Sequence, residues 1–81
     1  MLPRITYARY TGNFSVWLRF SDGLEGTVDL SRDLAGEVFE PLRDVAYFAR
    51  VELHPELRTL VWPNGADFAP EFLREKLLVA A

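Results

Sequence analysis

One histidine, His54, stands in a chain of 81 residues, and no cysteine accompanies it. Those two facts decide most of the available chemistry. A thiol nucleophile, a disulfide framework and a zinc–thiolate cluster all require cysteine. A metal site built on two or three imidazoles needs more than His54, and Glu52 and Glu56 beside it read as ordinary turn carboxylates. A serine hydrolase would have to recruit Ser15, Ser21 or Ser31. None lies in a nucleophile-elbow sequence, and the single histidine falls in a turn next to Pro55, away from any of them in sequence. Acidic residues are plentiful, but no spacing selects a pair for general acid–base work. A glycine-rich phosphate loop is absent. The chain therefore reads as a protein that is not an enzyme and that calls for neither metal nor cofactor.

Binding chemistry has better candidates. Phe14, Val16, Leu18 and Phe20 alternate with Ser15, Trp17 and Arg19, so Trp17 falls on the face opposite the apolar one. An aromatic there is either covered by another element or forms a hot spot for a partner. Tyr7 and Tyr10 fall on neighbouring faces of the preceding strand, which makes Tyr10 the expected extension of the Trp17 patch. The loop Asn64-Gly65-Ala66-Asp67 is the other candidate. Its amides, close to a helix N-terminus, could receive an anionic group, although Asp67 itself favours a cationic or hydrogen-bonding partner. The structural alternative is that Gly65 supplies a positive φ and Asp67 offsets the helix dipole while bonding loop amides. Trp62, held extended before Pro63, reads as the lid of a small core. His54 reads as a turn residue facing solvent, and Arg19 with Glu25 or Thr27 as a cross-strand surface pair.

These residues need elements to hold them. Arg4 to Tyr10 is a weakly alternating strand with Ile5 and Tyr7 on one face, and Thr11-Gly12-Asn13 turns the chain. The run from Phe14 to Phe20 is a half-buried antiparallel strand. Ser21-Asp22-Gly23 is a hairpin turn, and a third strand faces Leu24, Val28 and Leu30 inward. Ser31 caps a short turn ended by Gly36 in the left-handed conformation. Val38, Phe39 and Leu42 around Pro41 pin an irregular segment to the core. Asp44 caps a short helix through Phe48, with Val45 and Phe48 on one side. Val51 and Leu53 restart the alternation, His54-Pro55-Glu56 turns, and Arg58 to Trp62 pairs back as a second hairpin. Pro70 opens a terminal helix whose apolar face is Phe72, Leu73 and Leu77, with Phe68 ahead as a staple. Burying those three side chains stabilises by roughly 5–9 kcal/mol before ordering entropy is charged against it, so the helix must dock on the sheet. The fold class is α+β: an antiparallel β-meander plus a second β-hairpin, a short middle helix, and a C-terminal helix packed on one sheet face, all in one small domain over residues 1–81.

Composition bounds the partners. Hydrophobic residues make up 49% of the chain and net charge is −3, which argues for a folded core and against disorder. Basic residues are scattered singly, and only Arg74 and Lys76 fall close together. Counterion-release binding to nucleic acid wants a concentrated basic face, so nucleic acid is not the expected partner. No segment approaches the roughly 20 apolar residues of a membrane span, and Met1-Leu2-Pro3-Arg4 lacks the apolar run of a signal peptide. With no cysteine, the expected compartment is the reducing cytoplasm.

Several local sequences occur in a distinctive order: Phe20-Ser21-Asp22-Gly23, Val28-Asp29-Leu30, Val38-Phe39-Glu40-Pro41-Leu42-Arg43-Asp44 with Phe48, then Trp62-Pro63-Asn64-Gly65-Ala66-Asp67 and Pro70-Glu71. This resembles the domain of unknown function 2442 family of small bacterial proteins, over almost the whole chain, with Trp-Pro-Asn-Gly-Ala-Asp as its most specific mark. The resemblance implies a small α+β fold in which β-hairpins carry helices on one face, with no assigned activity. It also implies a two-gene pairing with another small protein, and so an antitoxin-like partner role. One departure is Ala69, where the family commonly has Ser before the helix-opening Pro-Glu. Losing that cap costs about 1 kcal/mol unless Asp67 or water replaces it. The resemblance includes some relatives with an appended helix-turn-helix, whose DNA binding is not expected to carry over to this chain. The function expected is thus a protein-interaction module with a small, toxin-like protein partner; the alternative is a regulatory or nucleic-acid-associated module acting as a homo-oligomer.

Overall fold

The computed structural model describes residues 3–80. Strands β1 (Ile5–Gly12), β2 (Ser15–Phe20) and β3 (Glu25–Asp29) form an antiparallel sheet in the order β1-β2-β3, and β4 (Glu52–Leu53) pairs with β5 (Leu60–Val61) as a two-stranded ribbon. Between them lie a 3-10 turn over Glu40–Arg43 and helix α1 (Val45–Phe48); helix α2 (Pro70–Ala80) follows the ribbon. The architecture is α+β, as the hydrophobic periodicity predicts.

β2 behaves as its alternation requires, with Val16, Leu18 and Phe20 buried. Phe14, expected as its first residue, instead sits in the turn. Asn13 (φ 52°) and Phe14 (φ 62°) both take left-handed backbone, the geometry of a two-residue hairpin whose twist matches its strands. A left-handed non-glycine residue costs about 1–2 kcal/mol. The Phe14 ring offsets it by packing edge-on against Phe48, centroids 5.3 Å apart.

β1 departs from simple alternation. Ile5 pairs with Phe20, but Tyr7 pairs with Arg19, so Thr6 is an extra residue, a bulge. Its hydroxyl donates to Arg19 O at 3.2 Å. A one-residue insertion exchanges the faces. Ile5 is therefore buried while Tyr7, expected beside it, points outward.

The third strand carries a device that periodicity does not announce. A Cβ at Gly26 would lie 2.9 Å from Leu77 Cδ2, so the missing side chain is what lets α2 settle on β3. Leu73 and Leu77 of α2 are buried, but Phe72 is 39% exposed. It lies at the rim, stacked on Phe68 at 5.5 Å, and this corrects its expected place in the buried stripe.

Two ion pairs fix the helix further. Arg74 grips Asp22 in the β2–β3 turn with both terminal nitrogens, at 3.1 and 2.6 Å. Lys76 Nζ lies 2.9 Å from the buried Asp33 Oδ2 and answers its charge there. At the head of α2, Leu73 N donates to Ala69 O at 3.2 Å. Among the described residues no side chain replaces the missing cap, Asp67 included.

Asp44 caps α1 as expected, Oδ1 accepting from Ala46 N at 3.0 Å. Val45, however, is 48% exposed while Phe48 is fully buried, because one helical turn offers the core a single anchor. At the end of β3 it is Asp29, not Ser31, that organises the turn, its carboxylate accepting from Ser31 N at 2.9 Å.

Phe48 is the hub of the core. Tyr10 (5.9 Å), Phe14 (5.3 Å) and Trp62 (5.3 Å) surround it, and Trp62 passes the chain of rings on to Phe68 at 5.7 Å. Phe39 stacks on Phe68 at 4.9 Å. This aromatic series joins the β1–β2 turn, α1, the ribbon and α2 into one apolar body.

Candidate functional site

The Trp62 corner is built for position. Trp62 is 3% exposed, and its indole Nε1 donates to Phe48 O at 2.9 Å. Gly65 N donates back to Trp62 O at 3.0 Å with Gly65 at φ 88°, a conformation that suits a residue without Cβ. Asn64 serves the same turn twice: its Oδ1 accepts from Ala66 N at 3.1 Å and its Nδ2 donates to Val38 O at 2.9 Å. That second bond ties the corner to the irregular segment between the sheet and α1. Asp67 pairs by its backbone with Val61 and leaves its side chain exposed. The loop is thus a splice between the β4–β5 ribbon and the segment ahead of α1, and the polar groups of Asn64 already have partners in the fold.

His54 is also a positioning residue. Its Nδ1 accepts from Glu56 N at 3.1 Å and Leu57 N at 3.0 Å, closing the β4–β5 turn. An imidazole holding two amides this way has its Nδ1 lone pair engaged, which removes it as a base or ligand at that nitrogen.

The outer face of the three-stranded sheet is different. Trp17 lies mid-face, half-buried, opposite Thr27 on β3 and Arg9 on β1. Tyr7 meets its ring edge-on at 5.6 Å and 70°. The Arg19 guanidinium lies 5.3 Å from the Trp17 ring centroid, at a distance where the ring quadrupole attracts a cation. Arg19 Nε also bonds Glu25 Oε2 at 2.9 Å across the hairpin, the cross-strand pair expected from sequence. Tyr7 is 48% exposed. The result is a rigid, half-wet aromatic and cationic surface.

Tyr10 does not join it. The bulge at Thr6 turns Tyr10 to the inner side, where it packs on Phe48. The ring that extends the Trp17 patch is Tyr7, and the same inserted residue explains both outcomes. Nothing in the local sequence marks Thr6 as a bulge, because the strand reads acceptably in either register. Of the four residues expected at a binding surface, Trp17 alone lies on this face. Tyr10 is on the inner side, and Asn64 and Asp67 lie at the Trp62 corner.

Three charged groups around β3 are perturbed. The Arg74 hydrogen bond, helped by the Leu24 amide, holds the Asp22 carboxyl below its ordinary value and raises Arg74 in return. The Ser31 amide and hydroxyl lower Asp29 in the same sense. Arg74 and Lys76, the two clustered basic residues, are therefore both matched to carboxylates. Among the described residues no group of three or more His, Asp or Glu could hold a metal ion, and no helix is long and apolar enough to cross a membrane.

The family model described as "Protein of unknown function (DUF2442)" matches residues 5–77. The chain belongs to this family. No curated protein and no solved structure matches it. In this DUF2442 domain the Trp62-to-Asp67 run, which carries the resemblance most strongly, performs structural work: a buried indole, a glycine turn and an amide splice. Membership therefore speaks to the fold more than to a reaction.

Proposed function

We propose that this domain is a non-enzymatic protein-interaction module that binds another small protein through the outer sheet face centred on Trp17. The observation that carries the reading is the Tyr7–Trp17–Arg19 cluster. Trp, Tyr and Arg are the side chains most enriched at binding hot spots; Trp and Tyr bring large contact area at low entropic cost, and Arg brings a planar charged fork. Here they are held on a strand, so little ordering remains to be done on binding. The absence of an enzymatic role is supported by the groups that would have to act: His54 is engaged as an acceptor within its own turn. The partner we favour is the toxin-like product of a paired gene, met in the cytoplasm, with this chain in the antitoxin-like role.

Co-expression with the product of the adjacent gene, followed by affinity capture and determination of stoichiometry, tests this. Capture that is lost in Trp17→Ala, with an unchanged circular dichroism spectrum, is the expected result. Capture that survives the substitution would remove the outer face from the account.

A further inference from the structure

The margin of β3 offers a second, separable feature. Phe20 N donates to Leu24 O at 2.7 Å and Leu30 N to Phe14 O at 2.9 Å, with Leu18↔Gly26 and Val16↔Val28 registered between them. Hydrogen-bonded pairs recur every second residue in an antiparallel ladder, so Leu24, Gly26, Val28 and Leu30 turn their backbone groups toward β2. Glu25, Thr27 and Asp29 turn theirs away, at a strand that ends the sheet. All three are exposed, and among the described residues no backbone bond outside the sheet reaches them. Alongside runs a stripe of α2. Phe72, Glu75, Lys76 and Val79, three and four residues apart, line a shallow groove with Val28 and Asp29. Phe72 is 39% and Val79 79% exposed.

The charges select the occupant. A second copy docked antiparallel about Thr27 would set Glu25 of each chain opposite Asp29 of the other, and like charges directly opposite are destabilising. A strand with the opposite pattern has no such conflict. We propose that the β3 margin and the α2 stripe receive an extended, antiparallel segment of a partner protein in which basic residues alternate with apolar ones. The apolar set faces α2 over Phe72 and Val79, and the basic set lies on the outer face beside Glu25 and Asp29. Backbone pairing supplies affinity and the alternating side chains supply selectivity. This rests on the reading that the domain binds another protein, and it adds the partner's chemistry and the mode of docking.

The probe is a blocked heptapeptide, Lys-Val-Lys-Val-Lys-Val-Lys, titrated into the whole 15N-labelled chain. Saturable shifts at the amides of Glu25, Thr27 and Asp29 are expected. The Glu-Val counterpart, and a peptide with the same residues in two blocks, should bind at least tenfold more weakly. Thr27→Pro removes an amide that lies outside the ladder and should abolish the shifts. In an antiparallel addition the lysine amides point at β3 and the valine amides away. N-methylation at the lysines should therefore eliminate binding and N-methylation at the valines should not, a contrast that holds even if Thr27→Pro fails to fold. Val79→Ser should weaken binding severalfold, and Trp17→Ala should change it less than twofold. Equal binding of the acidic peptide, or equal effects of the two methylation patterns, would overturn the proposal. So would a dimer of this chain that Thr27→Pro dissociates. A peptide that fails while the neighbour protein is still captured through Trp17 removes the β3 margin alone; the reverse outcome removes the Trp17 reading and leaves the margin standing.

Discussion

Trp62 and Trp17 are the same residue put to opposite uses. Trp62 is 3% exposed, ringed by Phe48 and Phe68, and its single polar atom is satisfied by Phe48 O. Trp17 takes no part in the core; it lies on the outer face between the Tyr7 edge and the Arg19 guanidinium. The first joins elements distant in sequence. The second meets Tyr7 and Arg19 on its own sheet. The difference teaches that aromatic content in this chain serves two purposes, and that the face of a strand decides which.

The largest expected effect breaks the inner half of that comparison. Trp62→Ala removes a buried ring and one of the two hydrogen bonds to Phe48 O, which Val51 N still meets at 3.1 Å, and should cost about 3–5 kcal/mol. That approaches the whole stability of a small domain, so chemical denaturation should find little cooperative transition left. Trp62→Phe separates the two contributions: it retains an aromatic filler, loses the Nε1 bond while Val51 N still satisfies Phe48 O, and should cost about 0.5–1.5 kcal/mol by the same measurement.

A smaller effect probes how the closing helix sits. Gly26→Ala pushes a methyl to within 2.9 Å of the buried Leu77 Cδ2; a loss of about 1–2 kcal/mol in urea unfolding is expected, because an overfilled contact strains both partners. Measured in a Leu77→Ala background, which itself loses a buried side chain, the added cost of Gly26→Ala should shrink, since the obstructing methyls are gone. Smaller still is Ala69→Ser. It supplies the helix cap the chain lacks and should raise stability by about 0.5–1 kcal/mol.

The acid limb of the stability curve follows from Asp22 and Asp29. Both carboxyls are lowered in the folded state, Asp22 chiefly by the Arg74 hydrogen bond and Asp29 chiefly by the Ser31 amide. A depressed carboxyl contributes stability that is fully present above its unfolded value and is lost as pH falls through its lower folded value. Thermal midpoints should therefore decline below about pH 4, near the ordinary carboxylate range. Arg74→Gln should make that decline shallower by removing the same small contribution at neutral pH, small because the pair is partly exposed.

Much of this body was legible beforehand, and the failures have a common physics. β2, the Asp22-Gly23 turn, the Asp44 cap and the Trp62 corner each follow from a local rule that needs only a few adjacent residues. Tyr7, Tyr10, Val45 and Phe72 went to other faces for reasons that are not local. The Thr6 bulge exchanges the faces of β1 only because β2 registers against it, and Phe72 is displaced to the rim because Gly26 draws Leu77, not Phe72, onto the sheet. Of the site, Trp17 was visible from alternation, whereas its companion Tyr7 depended on that bulge. Asn64 and Asp67 looked functional because polar residues in a glycine turn before a helix resemble a binding loop. Only the Asn64 bonds to Val38 and Ala66 reveal a splice.

The division of labour between the two indoles is tested most directly by Trp17→Ala, read in one preparation by urea unfolding and by capture of the co-expressed neighbour protein. A stability change of about 1 kcal/mol, as for a half-buried residue on the outer face of a strand, together with lost capture is the predicted result. A domain that unfolds without Trp17, or one that stays folded and still captures its neighbour, would contradict it.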